Sequence, residues 1–109
     1  MKKNGQHLNV FAERLRHARL QAGLTQIQLG VRAGIDEFSA SARVNQYERG
    51  VHAPDYGTAV RLATALHVPI SYLFESDETL AKLIFIAGRL ATNELEKTLA
   101  FMSKFSQLS

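Results

Sequence analysis

Three glycines set the lengths of the helices that the first half of this chain can form. Gly23, Gly34 and Gly50 each close a segment with helical character. They fit the position just past a helix end, where the backbone turns to positive φ and glycine is favoured. The first segment carries Phe11, Leu15, Ala18 and Ala22 at helical spacing, with Arg14, Arg16 and Arg19 between them. The second, LTQIQLGVRAG, opens with Thr25 and Gln28 in the spacing of a capping box, and Ile27 and Leu29 begin its apolar face. Gly30 within it costs about 1 kcal/mol of helix propensity against alanine, which points to another helix passing close by. The third, ARVNQYERG over 42–50, is a polar helix for which Ser39 or Ser41 is the expected N-cap.

Beyond Gly50, Pro54 marks a turn and Asp55 is the expected cap of a fourth helix with Val60, Leu62, Ala63 and Leu66 on one face. ISYLF reads as a short fifth helix. Ser76 or Asp77 is placed to cap a sixth, with Leu80, Leu83, Ile84, Ala87 and Leu90 on one side. Thr92 or Asn93 is placed to cap a last helix carrying Leu95, Leu99, Met102 and Phe105, its stripe widened by Phe101 and Leu108. No alternating strand pattern interrupts these segments. The expected fold is all-α: a five-helix domain over 1–75 and a packed helical extension over 76–109, with no glycine- or proline-rich linker between them.

Composition narrows the function. The chain has 109 residues, the size of one compact domain, and no cysteine, which removes disulfides, thiolate metal sites and thiol catalysis together. Its apolar runs are too short and interrupted for a membrane span or a signal peptide, so a bacterial or phage cytoplasm is the expected home. His7, His17, His52 and His67 are scattered without metal-like spacing, and there is no phosphate loop, nucleophile elbow or paired-carboxylate site. Neither a cofactor nor an enzymatic activity is expected. Charge is unevenly spread: residues 1–50 hold eight basic against four acidic side chains, and residues 51–109 hold five against six. A basic first half suits contact with a polyanion, although so small a chain can be asymmetric by chance.

The order of these elements resembles the phage-repressor (Xre/Cro-type) helix-turn-helix family of transcriptional regulators. The matching residues are Arg19 ahead of Gly23, Leu24-Thr25-Gln26, Leu29, Ala33-Gly34, Glu48-Arg49-Gly50, Pro54, Leu62-Ala63 and Ala65-Leu66, spanning about residues 9–74. Between Ile35 and Glu48 the chain is a few residues longer than the family pattern. The extra length falls in IDEFSAS, either lengthening the turn or starting the third helix early.

The resemblance implies that the third helix enters the major groove of double-stranded DNA, N-terminus first. Helical spacing then turns Val44 and Tyr47 inward, with Ile35 or Phe38 sealing the turn. Ser41, Ala42, Asn45 and Gln46 fall outward and Arg43 near the edge, as candidate base readers. Gln26, Arg49 and His52 are candidate phosphate contacts. Lys2 and Lys3 are either an arm along the groove or an unstructured basic start. The resemblance also implies an ion pair between Glu48 and Arg19.

The apolar extension is expected to form a homodimer that binds a palindromic operator, most simply as a repressor, through Leu83, Ile84, Leu95, Leu99, Met102 and Phe105. The alternative is an antitoxin-like module whose C-terminal helices mask a partner protein.

Overall fold

The computed structural model describes residues 6–106. Among them there are seven helices and no strand: α1 (Gln6–Gln21), α2 (Gln26–Arg32), α3 (Glu37–Glu48), α4 (Tyr56–Leu66), α5 (Ile70–Phe74), α6 (Glu78–Ala87) and α7 (Thr92–Ser106). Lys2, Lys3 and Leu108 lie outside the described residues, as does the side chain of His7.

Local chemistry starts most of these helices. Thr25 and Gln28 form a reciprocal capping box: the Thr25 hydroxyl accepts from the Gln28 backbone N–H at 3.1 Å and the Gln28 side-chain Oε1 accepts from the Thr25 backbone N–H at 2.9 Å. Asp55 caps α4 by accepting from the Thr58 N–H at 2.7 Å, and Asp77 caps α6 by accepting from the Leu80 N–H at 2.7 Å. Gly23, Gly34 and Gly50 all have positive φ (71°, 86° and 73°), so each supplies the left-handed residue that ends its helix.

Two starts differ from the sequence expectation. Asp36, rather than Ser39 or Ser41, caps α3, its carboxylate accepting from the Phe38 N–H at 3.0 Å. α3 therefore begins early, and the extra length in IDEFSAS is helix, not turn. At α7, neither Thr92 nor Asn93 is the cap. Both lie inside the helix, and the Ala91 N–H ahead of them is satisfied by the Glu94 carboxylate at 2.9 Å.

The core is built from one side chain layer shared by α1 to α5, with Leu15, Leu29, Val44, Leu62, Leu66 and Leu73 fully buried at its centre. Each such side chain contributes roughly 1.5–3 kcal/mol by leaving water. α2 lies directly on α3. An alanine Cβ at Gly30 would stand 2.6 Å from the Cβ of Ala40, so this glycine permits the close approach its position suggests. Ile35 is buried and seals the turn, whereas Phe38 stands 96% exposed.

α6 joins the core through a narrower face than its large side chains suggest. Ala81 is buried, and Ile84 and Phe85 pack partly against the core, while Leu80 and Leu83 remain exposed. Arg14 of α1 is buried beneath this junction. It donates to the carbonyls of Glu75 at 2.9 Å and Ser76 at 3.4 Å and pairs with Glu78 at 3.4 Å. At the end of α6, a Cβ on Gly88 would fall 2.5 Å from the Pro69 ring, so glycine lets that end seat on the loop before α5. α7 has no buried residue.

Two tests follow from this packing. Gly30→Ala should destabilise the protein by about 1–3 kcal/mol through overpacking against Ala40, outweighing its gain in helix propensity; urea unfolding reads the difference. Hydrogen bonds from the Thr58 backbone N–H and side chain hold the Asp55 carboxyl below its ordinary value of 3.8. Its contribution is thus present above that value and lost as pH falls through the lowered one. Asp55→Asn should therefore lose less stability than wild type between neutral and strongly acidic pH in thermal melts.

Candidate nucleic-acid interface

α3 has three inward residues, Ala40, Val44 and Tyr47, at spacings of four and three. That leaves one narrow apolar stripe holding an otherwise polar helix to the core. The opposite stripe, at the same helical repeat, runs Phe38, Ala42, Asn45 and Arg49, flanked by Ser41 and Gln46. Ser41, Ala42 and Arg49 are exposed, and Asn45 and Gln46 are half-buried.

One carboxylate fixes this helix against two others. Glu48, at the last position of α3, accepts from Arg19 Nε at 2.6 Å and from Arg19 Nη2 at 3.0 Å. The remaining Arg19 nitrogen, Nη1, donates to the Leu24 carbonyl at 2.9 Å. The two side chains retain only 11% and 3% of their exposure. A guanidinium fork matched to a carboxylate is the strongest common form of such a pair. From α2, the Gln26 amide donates to Glu48 Oε1 at 3.1 Å and to Asn45 Oδ1 at 3.3 Å. α1, α2 and α3 thus converge on Glu48, and its charge is neutralised within the protein.

The structure gives the other sequence candidates distinct settings. Arg43 turns toward the edge of α3, where Nη2 donates to the Tyr47 hydroxyl at 2.8 Å and its guanidinium lies 5.9 Å from the ring centroid. His52 is exposed in the segment between α3 and α4. Gln26 stands at the first position of α2, beside Asn45 rather than away from it. In the extension, Leu83, Leu95, Leu99, Met102 and Phe105 are exposed, and Ile84 is shared between the surface and the core.

Two residues enter the site that sequence reasoning did not assign to it. Arg16 lines the same polar cleft as Arg19, Gln26, Asn45, Glu48 and Arg49. The spacing of Arg16 and Arg19 on α1 was the available signal. The second is Phe38, whose place on the outer stripe became visible only once the start of α3 was known. Elsewhere among the described residues, no group of three or more histidine, cysteine, aspartate or glutamate side chains could hold a metal ion. No described helix is long and apolar enough to cross a membrane.

Comparison with known proteins agrees with this architecture. Residues 15–73 match the helix-turn-helix family. A crystal structure of the transcriptional regulator BswR is similar over 85% of this chain and 92% of that one, with 43% sequence identity and a TM-score of 0.80. No protein in the curated set matches the chain significantly.

Breaking the pair at Glu48 tests its structural weight. Glu48→Ala would leave Arg19 charged and nearly buried without its partner, and should cost about 3–5 kcal/mol. The urea midpoint should fall with the slope of the transition unchanged.

Proposed function

The chain belongs to the helix-turn-helix family, and from that premise we propose that it is a sequence-specific transcriptional regulator that reads double-stranded DNA with α3. The observation that carries this reading is the division of α3. Its inward stripe is buried and its last carboxylate is locked to α1 and α2, while the outer stripe offers hydrogen-bonding side chains to solvent. A helix about 10–12 Å across fits a major groove about 12 Å wide. Ser41, Ala42, Asn45 and Gln46 are the base readers in this reading. Asn and Gln suit the paired donor and acceptor of adenine, and the Ala42 methyl suits thymine. Arg43, held on Tyr47, contributes from the edge of the face.

Arg49 and His52 on one flank, and Gln26 on the other, serve the phosphates. These contacts set register without carrying sequence information. The side-chain amide of Gln26 donates to Asn45 and Glu48, so its phosphate contact would come from the backbone N–H at the start of α2.

Two copies bind together, in our reading, as a homodimer on a palindromic site. Leu95, Leu99, Met102 and Phe105 recur at helical spacing on α7 and are exposed, as is Leu83 of α6, more apolar side chains than a surface left to solvent needs. A two-fold pairing there gives two α3 helices for two half-sites about 34 Å apart. Such a dimer represses most simply by occupying the operator.

Binding measured at one fixed salt concentration tests the reading. Gln46→Ala should lose about 1–3 kcal/mol of preference for its cognate base. Arg49→Ala should weaken binding to all sequences alike and flatten the slope of log affinity against log salt by about 1. Equal affinity of wild type for selected and scrambled duplexes would refute specific reading. Phe105→Glu should convert a dimer to a monomer in sedimentation. A wild-type monomer that associates only with a second protein would instead favour the masking module.

A further inference from the structure

The early start of α3 adds a turn that the base-reading residues do not use, and its outermost side chain is Phe38. This ring is 96% exposed. It is not a stray surface residue, because it stands four positions before Ala42 and seven before Asn45, on the stripe opposite the buried Ala40, Val44 and Tyr47. In an entry that leads with the helix N-terminus, Phe38 precedes every other reader into the groove. Seven residues of helix rise by about 10 Å, so the ring stands well ahead of Asn45 along the direction of α3.

We propose that Phe38 is a specificity-determining residue that reads the 5-methyl group of thymine at the end of the half-site beyond the pair met by Asn45. This rests on the DNA-reading role of α3 proposed above. The ring has no hydrogen-bonding group, so the only base feature in the major groove that suits it is the thymine methyl. Its neighbours oppose a phosphate contact at the same tip. Asp36 and Glu37 are acidic, with Asp36 engaged in capping α3, and phosphates would repel both. The tip therefore belongs over the groove floor and away from the strand backbones. Ala42, one turn later on the same line, extends the apolar strip, so the half-site should carry thymines where Phe38 and Ala42 face it.

The test is a double-mutant cycle between protein and DNA. Sites are first selected from random duplex DNA with the wild-type protein. Each thymine of the half-site is then replaced in turn by uracil, which removes only the methyl. At the position facing Phe38, wild type should lose about fourfold in affinity, the burial of one methyl group. Phe38→Ala should bind the thymine site more weakly, and should show no further loss on uracil there. It should keep the uracil penalty at the position facing Ala42. Because Phe38 packs against nothing, its melting temperature should match wild type, which separates lost reading from lost folding.

Three results overturn the inference: no thymine whose uracil penalty depends on Phe38, an equal loss for Phe38→Ala on both duplexes, or no loss at all. The second would mean that the ring grips the backbone or another protein. If the wild-type protein selects no sequence, the DNA-reading role itself fails, an outcome distinct from these three.

Discussion

The carboxylate of Glu48 is the point on which the DNA-binding half is organised. α2 is seven residues long and α3 has few apolar side chains, so neither holds its place by propensity or by area alone. Glu48 receives a two-pronged contact from α1 and an amide from α2 at the one position where α3 ends. Burying two charges costs desolvation energy that their attraction only partly offsets. The value of the pair therefore lies in geometry more than in net stability. An apolar contact could hold α3 equally tightly, but it would tolerate sliding and rotation. A guanidinium fork on a carboxylate fixes both.

That constraint explains why the outer stripe can be so polar. With Val44 and Tyr47 buried and Glu48 tied, most side chains on the other side of α3 stay clear of the core, and in the proposed reading they serve recognition. Gln26 belongs to both systems, bonded at once to Glu48 and to Asn45. The outer stripe of α3 and its scaffold thereby share one hydrogen-bond chain.

Much of this was legible before any coordinates, and the misses have physical causes. Capping signals were read correctly where only one candidate competed, at Thr25 and Asp55. At α3 three capping residues stand within six positions, and Asp36 is used because it satisfies the Phe38 N–H two residues on. A serine cap would start α3 later and leave either Ile35 or Phe38 to seal the turn; with Asp36 as the cap, Ile35 is the buried one and Phe38 stands on the helix surface. At α7 the cap-forming residues Thr92 and Asn93 were misleading because a glutamate three positions past Ala91 can close the first turn unaided. In α6 the sequence places Leu80, Leu83, Ile84, Ala87 and Leu90 on one side without showing which of them meets the core. The core instead admits the small Ala81, since a close seat needs little side chain. Arg14, buried against carbonyls of the α5–α6 junction, has no local signature at all, because its partners are more than sixty residues away.

The contact between Gly88 and Pro69 carries a consequence at the other end of the molecule. It anchors the residue that caps the end of α6 to the loop ahead of α5, and α7 departs only a few residues later. In a pair of subunits joined through α7, the direction of that departure sets how far apart the two reading helices stand. In the proposed dimer, the spacing of the half-sites would then be gauged at a glycine outside the reading helix. A methyl group placed there would act as a wedge in a caliper, leaving each jaw intact while changing the gap between them.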